Sequence, residues 1–395
     1  VTANDLIGNG NLRVGGYSGA SLFPSLINLN ESIGSHTIYI TVNSTGSNNA
    51  LDLYITGGYT SGKISIDNVS VKEIQTDVPR IDFTDNATGH LLLEPQSTNL
   101  YTYSEDFSQS VWNKSNCNVT LTSEVAPNGN ANSVYNLTGT SANLYTSGSA
   151  NIEHTISFYI KSNGQGKDKF KLRLGNNVSV EYTATNKWVR YEFTSTPTTS
   201  VFGITTSSAP NNEFDLLIWG AQVEQLSFAT SYIPTSGSTA TRLADVCNNS
   251  GSAQDFNSEE GVLYCEIAAL ADDGTTRRFS ISDGTNNNRV LIGLSSSNRF
   301  QFVVSDNGSV VVNQLKTISD ITEFNKVAIS YKENDCKIYI NGSLVGSDTI
   351  ATMPSGLNTL NFNQGNGTES FYGNVREVQV FTTALTDQEL QQLTT

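Results

Sequence analysis

Apolar and polar residues alternate along many short stretches of this chain. In His154–Ser162, and again in Arg277–Ser282, apolar side chains recur at every second position. A period of two puts those side chains on one face of a β-strand. Polar turns separate the stretches and long helical patterns are missing. The sequence therefore predicts an all-β chain of tandem antiparallel β-sandwiches or jelly rolls.

Most of the predicted strands fall into two regions. Region 101–235 has them at 154–162, 170–175, 178–183, 188–195 and 214–226. Region 251–395 has them at 261–270, 277–282, 289–293, 299–305, 310–314, 326–332 and 337–341. Asn341 and Gly342 predict a two-residue hairpin turn, because both tolerate the positive φ of a type I′ turn. Thr386 and Glu389 form a capping-box pattern, which predicts one short C-terminal helix.

A repeat with an offset of 152 residues relates 64–74 to 216–226 and 36–40 to 188–192. Solenoid repeats are about 20 to 50 residues long, so this offset indicates duplicated domains. The first copy has far fewer residues before its matching part than the second copy has. We therefore expect the chain, which starts at Val1, to be a piece of a longer polypeptide that holds the missing start of the first sandwich.

Two connectors separate the regions. In the first, Pro79 and Pro95 hold the residues before them in extended conformations. The leucine run 91–93 needs an apolar partner, so we expect a docked arm and not a free tether. The predicted organisation is a partial sandwich at 1–76, a connector at 77–100, a jelly roll at 101–235, a connector at 236–250 and a second jelly roll at 251–395.

Charge and composition exclude some classes of partner. The chain has 22 basic and 37 acidic side chains and a net charge of −15. Such a chain gains nothing from a phosphate backbone or an anionic lipid surface, so neither nucleic acid nor a membrane is an expected partner. No apolar run approaches the roughly 20 residues that span a bilayer. The 16 Tyr and 17 Phe along the chain argue against disorder.

The four cysteines show no CxxC spacing, which argues against a zinc or thioredoxin-like motif. Cys265 and Cys336 each alternate with apolar residues in predicted strands, so both are expected to face a core. Two buried thiols are the favoured interpretation, and a Cys265–Cys336 bridge is the alternative.

Catalytic patterns are weak. The chain has only three histidines, His36, His90 and His154, and no GxSxG elbow. Two stretches, 213–217 and 333–337, carry a Glu-x-Asp pair but lack the third acid of a glycanase strand. Glycoside hydrolysis needs two facing carboxylates, so we expect no catalytic residues and no enzyme.

Charged loops near one predicted hairpin are the candidate contact residues. Asp272, Asp273, Arg277 and Arg278 cluster charge in an otherwise neutral region and form the predicted glycan-contact loop. Asp272 and Asp283 lie in oxygen-rich loops, and calcium takes six to eight oxygen ligands. Calcium at these two residues and ordinary turn chemistry remain alternatives.

Aromatic side chains that could stack on sugars are the other candidates. Trp112 lies in the polar entry to the second region, and Tyr372 precedes the last predicted strand. Both are candidate ligand contacts. A place in a core or at its rim is the alternative, because aromatic side chains bury large areas.

The last region resembles a laminin-G-like, concanavalin-A-type jelly roll. The residues that carry the resemblance are 327–331, 337–345, 371–381 and 384–390. The resemblance implies a β-sandwich closed by a strand and a capped helix. It also implies that loop Asp and Asn oxygens can bind calcium.

The middle region resembles a carbohydrate-binding-module-like jelly roll of phage tail-fibre and other virion appendage proteins. The matching stretches are 91–100, 219–224, 229–237 and 241–245. The resemblance implies a place on a virion surface, other appendage proteins as partners, and a homo-oligomer with a trimer favoured.

Two hypotheses of function follow. The first is an adhesin, an extracellular appendage that binds host-surface polysaccharide through its sandwiches. The second is a structural spacer or decoration protein that binds no sugar. A depolymerase is a third hypothesis, which requires acids from different domains or subunits to converge.

Overall fold

The computed structural model describes five strands within residues 2–65, and residues 79–395 except 84–86, 209–211 and 296. The chain divides into two compact units, Val1–Ile74 and Gln75–Thr395. In the described part, no helix is long and apolar enough to cross a membrane.

The first unit contains antiparallel strands in two small sheets. Its strands are β1 (Thr2–Ile7), β2 (Gly10–Gly15), β3 (Leu26–Asn28), β4 (Asp52–Gly57) and β5 (Ser61–Ser65). β1 pairs with β5, and β2 lies between β3 and β4. The predicted strand at 36–40 and most of the repeat segment 64–74 lie outside the described residues.

The second unit holds all the other elements. The first connector contributes β6 (Arg80–Asp82), β7 (His90–Leu93) and β8 (Ser97–Asn99). The middle sandwich contains β9 (Asn113–Leu121), β10 (Tyr135–Ser147), β11 (His154–Ser162), β12 (Lys169–Leu174), β13 (Asn177–Val178), β14 (Tyr182–Thr183), β15 (Val189–Ser195), β16 (Val201–Thr206) and β17 (Glu213–Glu224). The second connector contributes β18 (Ala240–Arg242).

The C-terminal sandwich completes the second unit. Its elements are β19 (Glu260–Ala269), β20 (Arg277–Ser282), β21 (Arg289–Ser295), β22 (Arg299–Asp306), β23 (Ser309–Thr317), β24 (Asn325–Lys332), β25 (Cys336–Ile340), β26 (Ser343–Asp348), β27 (Thr359–Asn361), β28 (Gly373–Phe381) and the helix α1 (Asp387–Thr394). This strand content confirms the all-β prediction with one short C-terminal helix.

The middle sandwich is a single sheet that folds back on itself. The long strand β10 pairs with β17 through its first half and with β16 through its second half. Gly139 and Asn143 bound a register shift in β10, and Ser141 between them has φ +48°. The strand therefore serves both layers, and side chains such as Phe158, Phe170 and Leu216 fill the core.

The C-terminal sandwich packs a seven-stranded sheet against a five-stranded sheet. The orders are β26-β25-β24-β19-β28-β7-β6 and β23-β22-β21-β20-β27. The core between them includes Ile267, Phe279, Ile292 and Phe302. Helix α1 lies on the outer face of the seven-stranded sheet, where Leu390 packs in a separate cluster with Tyr264.

Both connectors are integrated into this architecture. β7 pairs with β28 and β6 pairs with β7, so these two strands form one edge of the seven-stranded sheet. Leu93 is buried in its core. β8 pairs with β18, so the two connectors also join each other.

Local predictions fared unevenly. Asn341 and Gly342 have φ values of +46° and +77° between β25 and β26, and both arms of the capping box at Thr386 are formed. The predicted strand 178–183 is wrong as one element, because only its two ends pair, as β13 and β14. The pattern missed β9, β10 and β16: polar Ser, Thr and Asn residues interrupt the period of two in β9 and β10, and β16 is short, with alternation only at Phe202 and Ile204. All four cysteines are free, so the Cys265–Cys336 bridge is not formed.

Candidate functional site

Polar side chains gather on the outer face of the five-stranded sheet. Arg278 on β20 lies opposite Gly293 on β21, which lies opposite Gln301 on β22. Because alternate residues of a strand share a face, these positions point away from the core that Phe279 and Ile292 occupy. Arg289 on β21 has the same parity as Gly293 and lies on the same outer face.

Arg278 lies flat across the sheet. A Cβ at Gly293 would stand only 2.9 Å from Arg278 Cγ, so the missing side chain is what lets the arginine cross there. Arg278 Nη2 donates to Gln301 Oε1 at 2.8 Å. Its Nη1 forms an ion pair with Glu369 at 2.5 Å, and the Glu369 side chain is 40% exposed.

The loop between β27 and β28 supplies the rest of this site. Gln364 Oε1 accepts from Arg278 Nη1 at 2.9 Å. The backbone oxygen of Gln364 accepts from Arg289 Nη1 at 2.7 Å. Ser280 Oγ donates to the Asn363 oxygen at 3.0 Å, which holds the loop over the outer face. We call Arg278, Arg289, Gln301, Gln364 and Glu369 the arginine site.

The predicted contact loop does not form one cluster. Arg277 and Arg278 are neighbours on β20, so they point to opposite faces of the sheet. Arg277 is buried, and its Nη2 pairs with both oxygens of Asp273 at 2.8 and 2.9 Å. Asp273 also accepts from Ser227 Oγ of the middle sandwich at 2.8 Å. Only Arg278 of the four predicted residues belongs to the arginine site.

The two calcium candidates already have hydrogen-bond donors. Asp272 accepts from the backbone nitrogens of Ser297 and Asn298 at 3.1 and 3.2 Å. Asp283 accepts from Thr285 N at 2.8 Å and from Asn288 Nδ2 at 2.9 Å. N–H groups aimed at a carboxylate oppose a cation at the same oxygens. This arrangement does not fit calcium, and no group of three or more His, Cys, Asp or Glu in the described part could hold a metal ion.

The two aromatic candidates lie against cores. Trp112 is 2% exposed, and its Nε1 donates to the Tyr103 oxygen at 3.0 Å. Its ring packs 4.7 Å from that of Tyr101 and 5.0 Å from that of Phe107. Trp112 therefore offers no surface for sugar stacking. Tyr372 is half-buried against the C-terminal core.

Sequence reasoning missed Arg289, Gln301, Gln364 and Glu369. Arg289 opens a predicted strand of otherwise apolar residues, and a charged residue on a strand buried on both faces is a signal that could have been followed. Gln364 and Glu369 come from a loop about 75 to 90 residues further along the chain, and no local pattern connects them with β20 or β21.

A second polar assembly joins the two sandwiches. Glu94 pairs with Arg80, and its carboxylate lies 3.2 Å from Arg242 Nη1. It also accepts from the Ser231 nitrogen at 2.7 Å. Asp245 accepts from the Glu94 nitrogen at 2.7 Å and lies 3.3 Å from Arg80. We call this assembly the junction. It contains these five residues and also Ser97, Asn99, Glu224, Thr230 and Ile233.

The junction extends along the middle sandwich. The buried carboxylate of Glu224 accepts from Ser97 Oγ at 2.5 Å and from Thr230 N at 3.0 Å. Asn99 Nδ2 donates to the Ile233 oxygen at 2.8 Å. All of these residues except Arg80 lie within 91–100, 219–224, 229–237 and 241–245. In this chain they build a joint between the connectors and the sandwiches.

The acidic pairs have structural partners. Glu213 forms an ion pair with Lys167 at 3.0 Å. Asp215 accepts from Asn136 Nδ2 at 2.7 Å and from Asn163 Nδ2 at 2.8 Å. Asp335 lies in the turn before β25 and pairs with Lys337 at 3.5 Å.

Comparison with known proteins finds a family match within the C-terminal sandwich. Residues 264–391 match the family model of the concanavalin A-like lectin/glucanases superfamily. This stretch runs from β19 into α1 and contains all five residues of the arginine site. No curated protein matches the chain.

Several solved structures resemble part of this chain at low identity and low TM-score. The CBM40 of the Ruminococcus gnavus IT-sialidase is 17% identical, covers 37% of this chain and 93% of its own, and has a TM-score of 0.32. A complex of that module with α2,3 sialyllactose is 17% identical, covers 38% of this chain and 94% of its own, and has a TM-score of 0.32. A third structure is domain 4 of AbnA, an extracellular GH43 arabinanase of Geobacillus stearothermophilus, in complex with arabinotriose. It is 14% identical, covers 40% of this chain and 73% of its own, and has a TM-score of 0.26. At these values none of them assigns a ligand to this chain.

Proposed function

We propose that this chain is a non-enzymatic, glycan-binding segment of a tail-fibre-type virion appendage. Its partners are host-surface polysaccharide and other appendage proteins, and it acts as a homo-oligomer, with a trimer favoured, at the virion surface. The observation that carries the glycan-binding part is the arginine site, which lies inside the stretch that matches a lectin-type family.

The chemistry of that site suits saccharides. Amide and guanidinium groups form hydrogen bonds with hydroxyls in fixed directions. Gln301 Nε2 also donates to Asn313 Oδ1 at 3.0 Å, so a row of amides continues across the exposed part of the face. Binding sites commonly combine a few placed polar groups of this kind.

The appendage part of the proposal rests on the resemblance of the motifs and on the gain in avidity that an oligomer provides. A single polar site of this size binds weakly, and a symmetric oligomer presents several copies to one polysaccharide. A tail-fibre-type protein would therefore attach through several weak sites at the same time.

Binding of the purified full chain to a panel of bacterial surface polysaccharides tests this proposal. The chain is presented in multivalent form, with and without EDTA, and released reducing ends are measured in parallel. We expect saturable binding that EDTA leaves unchanged and no release of reducing ends. Release of reducing ends would reject the adhesin in favour of a depolymerase. Loss of binding in EDTA would show that glycan binding depends on calcium.

The junction favours a second candidate function, that of a structural spacer. Its motif residues are used for joining domains and not for forming an open site. No binding to any polysaccharide in multivalent form, together with a stable oligomer, would favour the spacer over the adhesin.

A further inference from the structure

Arg289 is a buried cation that forms no ion pair of its own within the described residues. The residue is 8% exposed, and its Nε is buried without an acceptor. Its Nη1 donates only to the backbone oxygen of Gln364, at 2.7 Å, and to Gln364 Oε1, at 3.2 Å. In the described part of the chain no carboxylate lies within ion-pair distance of this guanidinium. A buried charge without a counter-charge is costly, so proteins rarely keep one without a use.

A second cation stands beside it. Arg278 shares Gln364 Oε1 with Arg289. Burial lowers the pKa of Arg289, and the charge of Arg278 lowers it further, while Glu369 raises it. Among the described residues, Glu369 is the acid that contacts this pair, and it is bound to Arg278. Two guanidinium groups and one half-exposed carboxylate give the arginine site a net positive charge.

The ligand that fits is an anion with paired oxygens. We propose that Arg289 and Arg278 bind an oxyanion of an acidic saccharide, with the amides of Gln301 and Gln364 beside it. This inference rests on the proposed glycan-binding function and names its substrate class. Guanidinium groups present their N–H donors as a planar fork that matches carboxylate geometry.

Charge also explains why such a pair is needed. The chain as a whole carries a net charge of −15, so its overall field repels an acidic polysaccharide. Local cations that are partly shielded from water are screened less by salt than exposed ones. A desolvated arginine pair can therefore hold one acidic group against the general repulsion.

Matched saccharides test the ligand class. The full chain is titrated with oligogalacturonate, polysialic acid and alginate, each beside its carboxyl-reduced form, and with a sulfated galactan beside its desulfated form. We expect at least one acidic form to bind more tightly than its neutral counterpart, with an affinity that falls as salt rises. Preference within the carboxylate pairs alone identifies a carboxylate, and preference within the sulfate pair identifies a sulfate ester. Equal binding of every acidic and neutral pair would overturn the inference.

Variants locate the site. Arg289→Gln and Arg278→Gln should each weaken binding of the acidic form by roughly tenfold or more, the range of hydrogen bonds to charged groups. Arg289→Lys keeps the positive charge but not the planar set of N–H donors, so it should lose less affinity for the acidic form than Arg289→Gln does. Arg376→Gln is the control, because Arg376 pairs with Glu266 at 3.1 Å on the other sheet, and it should bind normally. Unchanged acidic binding in both site variants would refute the assignment.

Thermal unfolding separates a ligand site from a structural one. Arg289→Gln removes an unbalanced charge, so its Tm without ligand should equal or exceed that of the unaltered chain. Arg277→Gln is the matched comparison, since it breaks the buried pair with Asp273 and should lower Tm. The acidic saccharide should raise the Tm of the unaltered chain but not that of Arg289→Gln. A lowered Tm for Arg289→Gln with unchanged binding would make Arg289 a structural residue.

The failure of this inference is distinguishable from that of the proposed function. Binding of neutral saccharides that Arg289→Gln leaves unchanged would overturn the arginine assignment and leave glycan binding standing. Absence of binding to every saccharide would overturn both.

Discussion

At the scale of single residues, Gly293 shows how a missing side chain shapes the arginine site. Gly293 has ordinary strand geometry, so it is needed not for its backbone conformation but for the space that its missing side chain leaves to Arg278. A methyl group there would meet Arg278 Cγ at 2.9 Å and the Arg277 oxygen at 3.2 Å. The arginine can cross the sheet toward Gln301 only while that space stays open.

Gly293→Ala should therefore act through Arg278. We expect severalfold weaker binding of an acidic saccharide, because the added methyl group displaces Arg278 from its path toward Gln301. Residues that act through one contact give non-additive effects. The double variant Gly293→Ala/Arg278→Gln should bind no worse than Arg278→Gln alone. Additive losses, measured by titration of all three variants, would contradict this route.

The cysteines give a second prediction at this scale. Burial raises the pKa of Cys265 well above its usual range and that of Cys336 to about 11. The thiolate is the reactive form, so neither should react with a thiol reagent at pH 8 in the folded protein. Under denaturant all four cysteines should react. A count of two in the denatured protein would reveal a disulfide instead.

At the scale of elements, helix α1 depends on its first turn. Thr386 Oγ1 accepts from the Glu389 nitrogen at 3.3 Å, and Glu389 Oε2 accepts from the Thr386 nitrogen at 2.8 Å. Leu390 then packs the helix onto the seven-stranded sheet. An eight-residue helix is too short to persist alone in water, so the cap and this contact hold it together.

Thr386→Ala should lower the free energy of unfolding by about 1 kcal/mol, the usual value of an N-cap side chain. Thr386→Ser is the matched control, since it keeps the hydroxyl and should stay near the unaltered chain. Urea unfolding followed by circular dichroism measures both. Equal stability of the two variants would show that the cap contributes nothing.

The same cap predicts a pH dependence. Hydrogen bonds from Thr386 lower the pKa of Glu389 in the folded state. A depressed folded pKa gives stability that is present above the unfolded value and is lost as pH falls through the folded value. Acidification should therefore destabilise the unaltered chain more than Thr386→Ala. Parallel losses in urea titrations between pH 6 and pH 3 would rule this out.

At the scale of the whole molecule, the junction makes the two sandwiches of residues 75–395 dependent on each other. Glu94 is almost fully buried and faces Arg80 and Arg242. Glu94 accepts a hydrogen bond from Ser231 of the middle sandwich, and it follows β7 of the seven-stranded sheet, which pairs with β6. Unfolding either sandwich exposes this network, so we expect both to unfold in one calorimetric transition.

Glu94→Ala leaves two arginines without their shared carboxylate. Breaking a buried pair in this way costs roughly 3–5 kcal/mol, so the Tm of that transition should fall by several degrees. Glu260→Ala is the control, because Glu260 pairs with Lys332 at the surface, and its Tm should stay nearly unchanged. Two separate transitions in the unaltered chain, with Glu94→Ala affecting only one, would show that the sandwiches are independent.

The sequence alone determined the class of fold and many of its local details. Alternation identified β11 and β20 because their apolar residues face a single core. The turn at Asn341 and the cap at Thr386 were predictable because their hydrogen bonds and φ values involve residues next to each other in the chain. Polar strands such as β9 escaped the pattern, since a lightly buried strand leaves little apolar periodicity.

Only the tertiary structure decided which charged residues meet. Arg277 and Arg278 are adjacent in sequence but face opposite sides of β20, so one joins a buried pair and the other joins the arginine site. Gln364 reaches Arg278 and Arg289 because the loop after β27 folds over the sheet. Glu94, Glu224 and Arg242 meet because β8 pairs with β18 across about 140 residues of chain. Such contacts depend on strand pairing over long sequence separations, and no local pattern of residues encodes them.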